Sequence, residues 1–447
     1  MKARQASAIA SVVAWEALDS RSRPTVACRV QLGGGAVGRA IVPSGASTGA
    51  HEAVERRDGG ERYDGWGVRQ AVAAVTGDLG PAVAGLDATD RALVDARLEE
   101  VDGTPDLART GANAVLAVSL ASALAGAQAL GRPLWQVLAA SEPGGAPSRR
   151  PLLPMPMVNI FSGGAHAAGA VDIQDVLAVP VGADSFAHAL EIVARVRAAT
   201  AGVLQRRGLS PALVADEGGL SAPMSDNEAA VGVVCEGIEA ADLRPGVDVA
   251  VAVDLAASQF GTAEGRYHLR CENRELDRAD WLARLAGWCE RYPIVSLEDV
   301  LHEDDWAGWT EATSVLPEHC QLLGDDLFAT HVERVQEGIS RRAANAVLVK
   351  PNQAGTLTRA ERVVREAQRA GLGTVVSARS GDTEDTWLAD LSVGWRAGQI
   401  KVGSTMRSER TAKWNRLLEL EHDLGRNASL AGPEVFGRSA SPSGVRT

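Results

Sequence analysis

The segment Asn345-Ala-Val-Leu-Val-Lys-Pro-Asn-Gln-Ala-Gly-Thr356 is a short apolar run that ends abruptly in one lysine, Lys350. Lysine is rare in this chain, because only four of the 45 basic side chains are lysine and the rest are arginine. Arginine serves a solvated surface or an ion pair at least as well, but it does not release its proton at a workable pH. A lysine at the end of a buried-looking strand therefore suggests a function for a titratable amine. Lys401, in Gly398-Gln-Ile-Lys-Val-Gly403, has the same setting; the alternative for both is a chance surface lysine.

Length and composition indicate a soluble protein of two or three domains, since 447 residues exceed one ordinary core. The net charge of −12, with no basic stripe to offset it, argues against nucleic-acid binding. A small anionic substrate remains compatible with it, because a metal and a few local cations can invert the field in one cleft. The five cysteines form no Cys-x-x-Cys pair, and no apolar run approaches the ~18 residues of a membrane span. We therefore expect a cytoplasmic protein without nucleic-acid or membrane partners.

The first residues predict a strand meander. Residues 7–43 contain a hairpin signal, with Thr25–Leu32 and Gly38–Val42 as its strands and three glycines between them. The next segment, Pro43-Ser-Gly-Ala-Ser-Thr-Gly49, lacks the Gly-Lys of a phosphate-binding P-loop. It is either a plain surface loop or a mobile lid.

Helical periodicity follows in Val68–Val83, Ala88–Val101 and Gly111–Leu130. Thr89 is the expected N-cap of the second helix. The Pro/Gly/Ser-rich stretch Glu142–Pro151 is the clearest linker in the chain. We therefore expect a first domain over residues 1–145, a second over 151–436, and a disordered Ser/Pro/Gly-rich tail over 437–447.

Beyond the linker, short apolar runs alternate with amphipathic helical patterns, which is typical of a parallel sheet or barrel. The strand candidates are Met155–Ile160, Asp172–Pro180, Ala212–Ala215, Val247–Val253, Ile294–Leu297, Cys320–Leu323, Ala346–Val349, Thr374–Ser377 and Gln399–Val402. Roughly eight strands in a domain of this size correspond to a (β/α)8 barrel. The sequence thus predicts an α/β fold.

Several of these strands end in a charged residue directly after the apolar run, namely Asp254, Glu298, Asp325, Lys350, Arg379 and Lys401. Side chains so placed converge at the C-terminal mouth of a barrel, where such enzymes keep their chemistry. Three carboxylates at close range stay ionised only beside a cation, and oxygen ligands without His or Cys point to Mg²⁺ or a similar hard ion. The neighbouring cations suggest one amine that removes a proton and another that holds the charge of the substrate.

A series of motifs, in order along nearly the whole chain, resembles those of the enolase family. They are Asp19-Ser-Arg21, Pro24-Thr-Val26, Pro43–Gly49, Ala215-Asp-Glu-Gly-Gly219, Ser296-Leu-Glu-Asp299, Glu303-Asp-Asp-Trp306, Gly324-Asp-Asp326, Leu348-Val-Lys350, Asn352-Gln353, Ser380-Gly-Asp-Thr-Glu-Asp-Thr386, Gly398-Gln-Ile-Lys401 and Arg407-Ser-Glu-Arg410. The resemblance implies a modified (β/α)8 TIM barrel with an N-terminal α+β capping domain. It also implies a homodimer or a higher homo-oligomer.

The same resemblance implies one or two Mg²⁺ ions. The residues that resemble the ligands of the primary ion are Asp254, Glu298 and Asp325, and Ser47 resembles a ligand of the second. Lys350 resembles the base that removes the proton α to the substrate carboxylate, and Lys401 the counter-charge of that carboxylate. Such a proton is very weakly acidic, so the dianion that forms must be neutralised by metal and lysine.

The remaining roles concern the phosphate and the leaving group. Arg379 and Ser380 resemble a phosphate site, and Glu217 resembles the acid that helps the β-hydroxyl leave. His166 resembles a substrate-side histidine. Asp175 stands where enolases carry glutamate, on the side from which water leaves.

Other departures from the family pattern lie in the same region. Ala378 replaces a histidine of the family's Ser-His-Arg-Ser motif, Val300 replaces a proline, and Ser162 replaces an asparagine. Loss of a catalytic acid or base typically costs ~10²-fold or more in rate. The metal triad, both lysines and the phosphate arginine are retained, so the pattern suggests that proton abstraction is kept while the substrate or the second half-reaction has changed.

Three hypotheses follow. The first is a Mg²⁺-dependent enolase paralogue that converts a phosphoglycerate-like acid, phosphorylated or phosphonylated, to an enolpyruvate-type product in phosphonate or phosphinate antibiotic biosynthesis, similar to carboxyphosphonoenolpyruvate synthase. The second is an ordinary glycolytic enolase that dehydrates 2-phosphoglycerate. The third is a non-catalytic enolase relative that acts as a binding or structural protein.

Overall fold

A computed structural model describes residues 5–46, 48–140 and 150–436 of the chain. An antiparallel three-stranded sheet with its helices is followed by a closed eight-stranded barrel, which confirms the α/β fold predicted from the sequence. Ser47, most of the expected linker and the expected tail 437–447 lie outside the described residues.

The expected meander is confirmed by three strands that pair in sequential antiparallel order. These strands are β1 (Ile9–Leu18), β2 (Pro24–Leu32) and β3 (Val37–Ile41). Gly35 has a φ of 91° in the turn between β2 and β3, a conformation that glycine adopts without strain.

Four helices complete this part of the chain: α1 (Arg69–Ala74, continued by a π-helical turn Val75–Leu79 and by Gly80–Val83), α2 (Arg91–Asp102), α3 (Ala112–Ala129) and α4 (Leu134–Ala140). The expected cap of α2 is wrong by one residue. Asp90 accepts a hydrogen bond from the Leu93 N–H at 3.1 Å, while the Thr89 hydroxyl donates to Asp87. Threonine and aspartate are both favourable N-cap residues, so the sequence alone does not choose between Thr89 and Asp90. The hydrogen bond from Thr89 to Asp87 leaves Asp90 as the cap.

Helix α3 has the length and apolarity of a membrane span, contrary to the expectation that no segment approaches that limit. However, 83% of it is buried inside the protein. It packs against β2 and β3. The approach is close at Gly38 in β3, where an added Cβ would lie 2.0 Å from the Ala121 carbonyl oxygen. The helix is therefore the core element of this part of the chain.

The strands after residue 150 are β4 (Leu152–Leu153), β5 (Met155–Ser162), β6 (Asp175–Val179), β7 (Ala250–Asp254), β8 (Arg266–Leu269), β9 (Arg274–Asp277), β10 (Ile294–Glu298), β11 (Gln321–Gly324), β12 (Ala346–Val349), β13 (Gly373–Ser377), β14 (Gly398–Gly403) and β15 (Ser429–Leu430). The barrel is formed by β5, β6, β7 and β10 to β14, and it closes between β14 and β5. Strand β6 is antiparallel to both of its neighbours, whereas the other barrel pairs are parallel. The barrel is thus a modified (β/α)8 form.

The helices around the barrel are α5 (Phe186–Arg206), α6 (Asn227–Ala240), α7 (Arg278–Arg291), α8 (Trp306–Val315), α9 (Val332–Arg341), α10 (Pro351–Ala354), α11 (Leu357–Arg369), α12 (Trp387–Gly394) and α13 (Ser408–Leu424). The first two lie between β6 and β7, so the chain begins the barrel with two strands and then two helices. From β10 onward, strands and helices alternate as the sequence pattern predicts.

One predicted strand is wrong. In Ala212–Ala215 only an isolated bridge forms, between Val214 and Leu220, and Leu213 is 56% exposed. The Ala215 N–H donates to the Gly219 carbonyl at 2.9 Å, so the segment folds into a small hairpin instead. The tip of this hairpin carries Glu217, which is buried.

The amino end of the barrel is closed by the last described residues. Strand β15 pairs with β4, and Phe436 is buried among inward-facing side chains that include Met155 and Leu348. The Gln399 amide donates to the Val435 carbonyl at 3.1 Å. The opposite, carboxyl end of the strands is therefore the open one.

Candidate active site

The carboxyl ends of the barrel strands bring the six predicted charged residues to one mouth. Asp254 and Glu298 are the last residues of β7 and β10 and are register partners. Asp325 and Lys350 directly follow β11 and β12, Arg379 follows β13, and Lys401 lies in β14. Each position lies within two residues of the carboxyl end of its strand, which explains why the spacing along the chain predicted the convergence.

Lys401 joins two of the predicted metal ligands. Its Nζ lies 2.5 Å from Asp254 Oδ2 and 2.8 Å from both carboxylate oxygens of Glu298. Burial lowers the pKa of Lys401, but the charges of Asp254 and Glu298 outweigh it and hold that pKa well above its usual value. Burial and the charge of Asp254 together raise the pKa of Glu298 well above its usual range.

Lys350 is placed in the same way beside the third carboxylate. Its Nζ forms an ion pair with Asp325 Oδ2, and the Gln353 amide donates to Asp325 Oδ1 at 3.0 Å. Burial lowers the pKa of Lys350, but the charge of Asp325 outweighs it, so the pKa is raised. In this arrangement Lys350 is an ammonium ion. It can accept a proton only after it has lost its own, which requires that another cation replace it beside Asp325.

The three carboxylates fit a magnesium ion. Asp254, Glu298 and Asp325 are each at most 5% exposed, and together they offer only oxygen ligands. Three carboxylates face two lysine ammonium groups, so among these five side chains one negative charge is not compensated. A divalent cation would remove that excess of negative charge.

A second acidic group lies next to this site. Asp299, Asp325 and Asp326 bring carboxylate oxygens within 4.8 Å of one another. Asp299 accepts hydrogen bonds from the backbone N–H groups of Asp325 and Asp326, at 3.0 and 2.9 Å. Sequence reasoning quoted Asp299 only as part of a motif, and its role here is to shape the turn that presents Asp325.

The residues expected beside the leaving group form a buried cluster. His166 Nδ1 lies 3.0 Å from Asp175 Oδ2, and His166 Nε2 lies 4.0 Å from Glu217 Oε1. The other oxygen of Asp175 accepts from Asn159 at 2.5 Å and from Ser162 at 2.8 Å. Burial lowers the pKa of His166, but the charges of Asp175 and Glu217 raise it above its usual value. The imidazole therefore lies between two carboxylates whose charges favour its protonated form.

The expected phosphate site is covered by the small-residue loop. The backbone N–H of Ala46 donates to Ser380 Oγ at 2.6 Å, and Ser44 pairs with Gly381. Arg379 Nη1 lies 2.7 Å from Glu52 Oε2, just past the end of that loop. Sequence reasoning missed Glu52, although it lies only three residues beyond the recognised motif. The loop thus contacts the barrel mouth at Ser380 and Gly381, and its action as a mobile lid stays a prediction.

Ala378 and Asp175, two positions at which the sequence departs from the family pattern, lie among these groups. Ala378 is 5% exposed between Ser377 and Arg379, and its backbone N–H donates to the Lys401 carbonyl at 2.9 Å. Its methyl group leaves this wall of the site without the imidazole that the family pattern provides. Gln174, beside Asp175, donates to Asp254 Oδ2 at 3.0 Å, so the altered carboxylate is adjacent to a residue that contacts the metal triad.

Comparisons with known proteins identify the family of this chain. Residues 9–138 match the family model described as the enolase N-terminal domain, and residues 150–439 match that of the enolase C-terminal TIM barrel domain. The enolase of Acidothermus cellulolyticus (strain ATCC 43068 / DSM 8971 / 11B) is 49% identical over 435 residues, which cover 97% of this chain and 99% of that relative. The chain belongs to the enolase family and is a carbon–oxygen lyase of that family.

Proposed function

We propose that the protein dehydrates 2-phosphoglycerate to phosphoenolpyruvate, as an ordinary cytoplasmic enolase. The observation that carries the proposal is the pair of lysines, Lys350 and the buried Lys401, set against three strand-end carboxylates, with Arg379 beside them. The near-full-length similarity to a protein named enolase supports this second hypothesis over the first. The third hypothesis, a non-catalytic relative, is set aside because the family is one of lyases.

In this proposal Lys350 removes the proton α to the substrate carboxylate. Lys401 holds the carboxylate, and Arg379 with Ser380 holds the phosphate. The electron pair left at the α-carbon then expels the β-hydroxyl, which takes its proton from Glu217. His166 and Asp175 border the leaving group, and Asp175 orients the imidazole through the hydrogen bond to Nδ1.

Asp254, Glu298 and Asp325 would hold the primary Mg²⁺, and Ser47 would contribute to a second ion. When bound, the metal stabilises the negative charge that develops on the substrate carboxylate. The residues 1–145 would act as the capping domain, 151–436 as the catalytic domain, and 437–447 as a tail. A homodimer or higher homo-oligomer is proposed on the family resemblance.

A second candidate function is favoured by Ala378 and Asp175. A missing imidazole and a shorter carboxylate enlarge the space around the leaving group, which would admit a different phosphorylated or phosphonylated acid. In that case the reaction would form an enolpyruvate-type product in phosphonate or phosphinate antibiotic biosynthesis.

The test is an assay of purified protein with Mg²⁺ and 2-phosphoglycerate, followed by the ultraviolet absorbance of the enol phosphate. The expected result is a turnover in the ordinary range of ~1–10³ s⁻¹. A far slower turnover, together with rapid exchange of the α-proton in deuterated water, would support the second candidate, because proton abstraction would then be intact and elimination impaired. Absence of both reactions would contradict either proposal.

A further inference from the structure

Helix α13 carries two buried cations, Arg410 and Lys413, that contact the segment after β13. Lys413 is one of the four lysines of the chain, and its Nζ lies 2.6 Å from Asp382 Oδ1 and 2.5 Å from the Thr383 carbonyl oxygen. Arg410 lies in the first turn of the helix and is 0% exposed. A buried cation is costly unless hydrogen bonds satisfy it, and the first turn is the end of a helix that disfavours positive charge. Helix stability therefore does not explain an arginine at this position.

The guanidinium of Arg410 donates to the backbone of the proposed phosphate site. Its Nη1 donates to the Arg379 carbonyl at 2.6 Å, and its Nη2 donates to the Ser380 carbonyl at 2.5 Å. One planar group thus binds two consecutive peptides of the segment whose side chains are proposed to hold the phosphate. The paired donors of arginine have a fixed geometry, which a lysine ammonium does not reproduce.

The same guanidinium also contacts the strand that carries Lys401. Arg410 Nη1 donates to the Val402 carbonyl of β14 at 2.9 Å. Gly403 leaves room for this side chain, because an added Cβ there would lie 2.9 Å from Arg410 Cδ. Arg410 Nη1 also lies 3.9 Å from Glu217 Oε1. One buried side chain therefore connects the strand of the proposed carboxylate site with the proposed phosphate site and the proposed acid.

We propose that Arg410 is a positioning residue that fixes the distance between Lys401 and the pair Arg379 and Ser380. The inference rests on the proposed function, in which Lys401 holds the substrate carboxylate and the pair holds the phosphate. A ligand with two anionic groups binds tightly only where both sites lie at the matching separation, because binding of one group then presents the other. Arg410 thus selects acids whose phosphate lies close to the carboxylate, as in 2-phosphoglycerate.

The experiment is isothermal titration calorimetry of the full chain, in the presence of Mg²⁺, with phosphoglycolate. This ligand has both anionic groups but no β-carbon from which a hydroxyl could leave. Inorganic phosphate is the comparison ligand, because it occupies only one of the two sites. Arg410→Lys should weaken phosphoglycolate binding about tenfold, as expected for the loss of a charge-assisted hydrogen bond, and should weaken phosphate binding less.

Steady-state kinetics with 2-phosphoglycerate gives a second measurement on the same variant. Arg410→Lys should raise KM about tenfold while kcat falls less, because the groups that transfer protons are retained.

Arg416→Lys is the matched control. Arg416 is a partly buried arginine of the same helix, and its guanidinium forms two hydrogen bonds of 2.9 Å with Asp390. The control should lower the melting temperature but leave phosphoglycolate affinity and KM unchanged. The same result for Arg410→Lys would overturn the proposal, since Arg410 would then only stabilise the fold. An equal loss of affinity for phosphate and phosphoglycolate would also overturn it, because the spacing of the two sites would not matter.

Hydrogen exchange of the unmodified protein, followed by mass spectrometry, tests the proposal without a substitution and remains decisive if Arg410→Lys does not fold. Peptides over residues 377–384 should exchange slowly, and to the same extent before and after phosphoglycolate binds, because the segment is already fixed. Protection that appears only with the ligand would contradict the proposal.

These outcomes also separate this inference from the proposed function. Phosphoglycolate binding that weakens in Arg410→Lys, in a protein that does not dehydrate 2-phosphoglycerate, would refute the proposed function alone. Rapid dehydration together with unchanged phosphoglycolate affinity in Arg410→Lys would refute this inference alone. Absence of phosphoglycolate binding to the unmodified protein would refute both.

Discussion

In the proposed mechanism Lys350 has two opposed tasks, because the ammonium that pairs with Asp325 must become an amine before it accepts a proton. The proposed role as a base, rather than the ion pair, explains why this position carries lysine in a chain that mostly uses arginine. An arginine would neutralise Asp325 equally well, but it could never complete the second task. The scarcity of lysine singled out this residue in the sequence, and the family resemblance supplied its expected role, whereas its partner Asp325 was expected only as a metal ligand.

Lys350→Arg should separate these tasks. The variant retains a positive charge beside Asp325, so its thermal stability should stay close to that of the unmodified protein. Exchange of the α-proton of 2-phosphoglycerate in deuterated water, followed by proton NMR, should fall by at least ~10²-fold, because the base is lost. Exchange at the original rate would show that another group removes the proton.

Ala378 and Asp175 are two of the residues at which this sequence departs from the family pattern. The double change Ala378→His with Asp175→Glu should raise the rate of 2-phosphoglycerate dehydration, since it restores an imidazole and a longer carboxylate beside the leaving group. Steady-state kinetics of the double variant and of each single variant measures the effect. Asp175→Glu alone should help least, because Asp175 is already fitted to Asn159 and Ser162. An unchanged rate in the double variant would place the specificity elsewhere.

Among the elements, the strands that end in charged residues were predictable and the irregular ones were not. An apolar run followed by a charged residue predicts a strand that ends at that residue. Strands β7 and β12 do end at or directly before such a residue. The direction of β6 could not be predicted, because a strand buried on both faces has the same apolar pattern in either orientation. The run Ala212–Ala215 is apolar as well, yet Leu213 is exposed. That exposure depends on the tertiary structure and cannot be predicted from a local sequence pattern.

The contact between β3 and α3 gives a sharp test at this scale. Gly38→Ala places a Cβ against the backbone of α3, 2.0 Å from the Ala121 carbonyl and 2.4 Å from the Ala125 nitrogen. We expect a loss of about 3 kcal/mol in the free energy of unfolding, measured by urea denaturation, since neither partner can move without displacing the core helix.

Gly77→Ala is the matched control for that variant. No atom lies within 4 Å of the position that an added Cβ would take there, and Gly77 lies in a helical turn. The substitution should therefore be neutral or stabilise by up to about 1 kcal/mol through the unfolded chain. Equal effects of the two substitutions would argue against close β3–α3 packing.

For the molecule as a whole, carboxyl groups inside the barrel mouth should make the stability of the fold depend on bound metal and on pH. Burial and the charge of Asp325 raise the pKa of Asp326 to about 8, and burial with the charge of Asp326 raises the pKa of Asp299 well above its usual range. A carboxyl with a raised folded-state pKa stabilises the fold below its unfolded pKa near 4. That contribution is lost as the pH rises toward about 8.

Metal-free protein should accordingly lose stability as the pH rises from about 4 to about 8, and Mg²⁺ should offset the loss. The difference in melting temperature between samples with Mg²⁺ and with a chelator, measured by calorimetry, should therefore grow with pH. Asp326→Asn should flatten the pH dependence of the metal-free protein, because it removes the group with the pKa near 8. A metal effect of constant size across this range would contradict the coupling.

The closure of the barrel floor by β15 and Phe436 has a consequence for synthesis of the chain. Every barrel strand leaves the ribosome before the residues that seal the lower opening, so the nascent barrel has an uncovered apolar interior until residues 429–436 emerge. The three-stranded sheet and α3, by contrast, are complete much earlier and can fold first. Chains truncated just before β15 should thus be recognised by chaperones and proteases, even though every proposed catalytic residue is present.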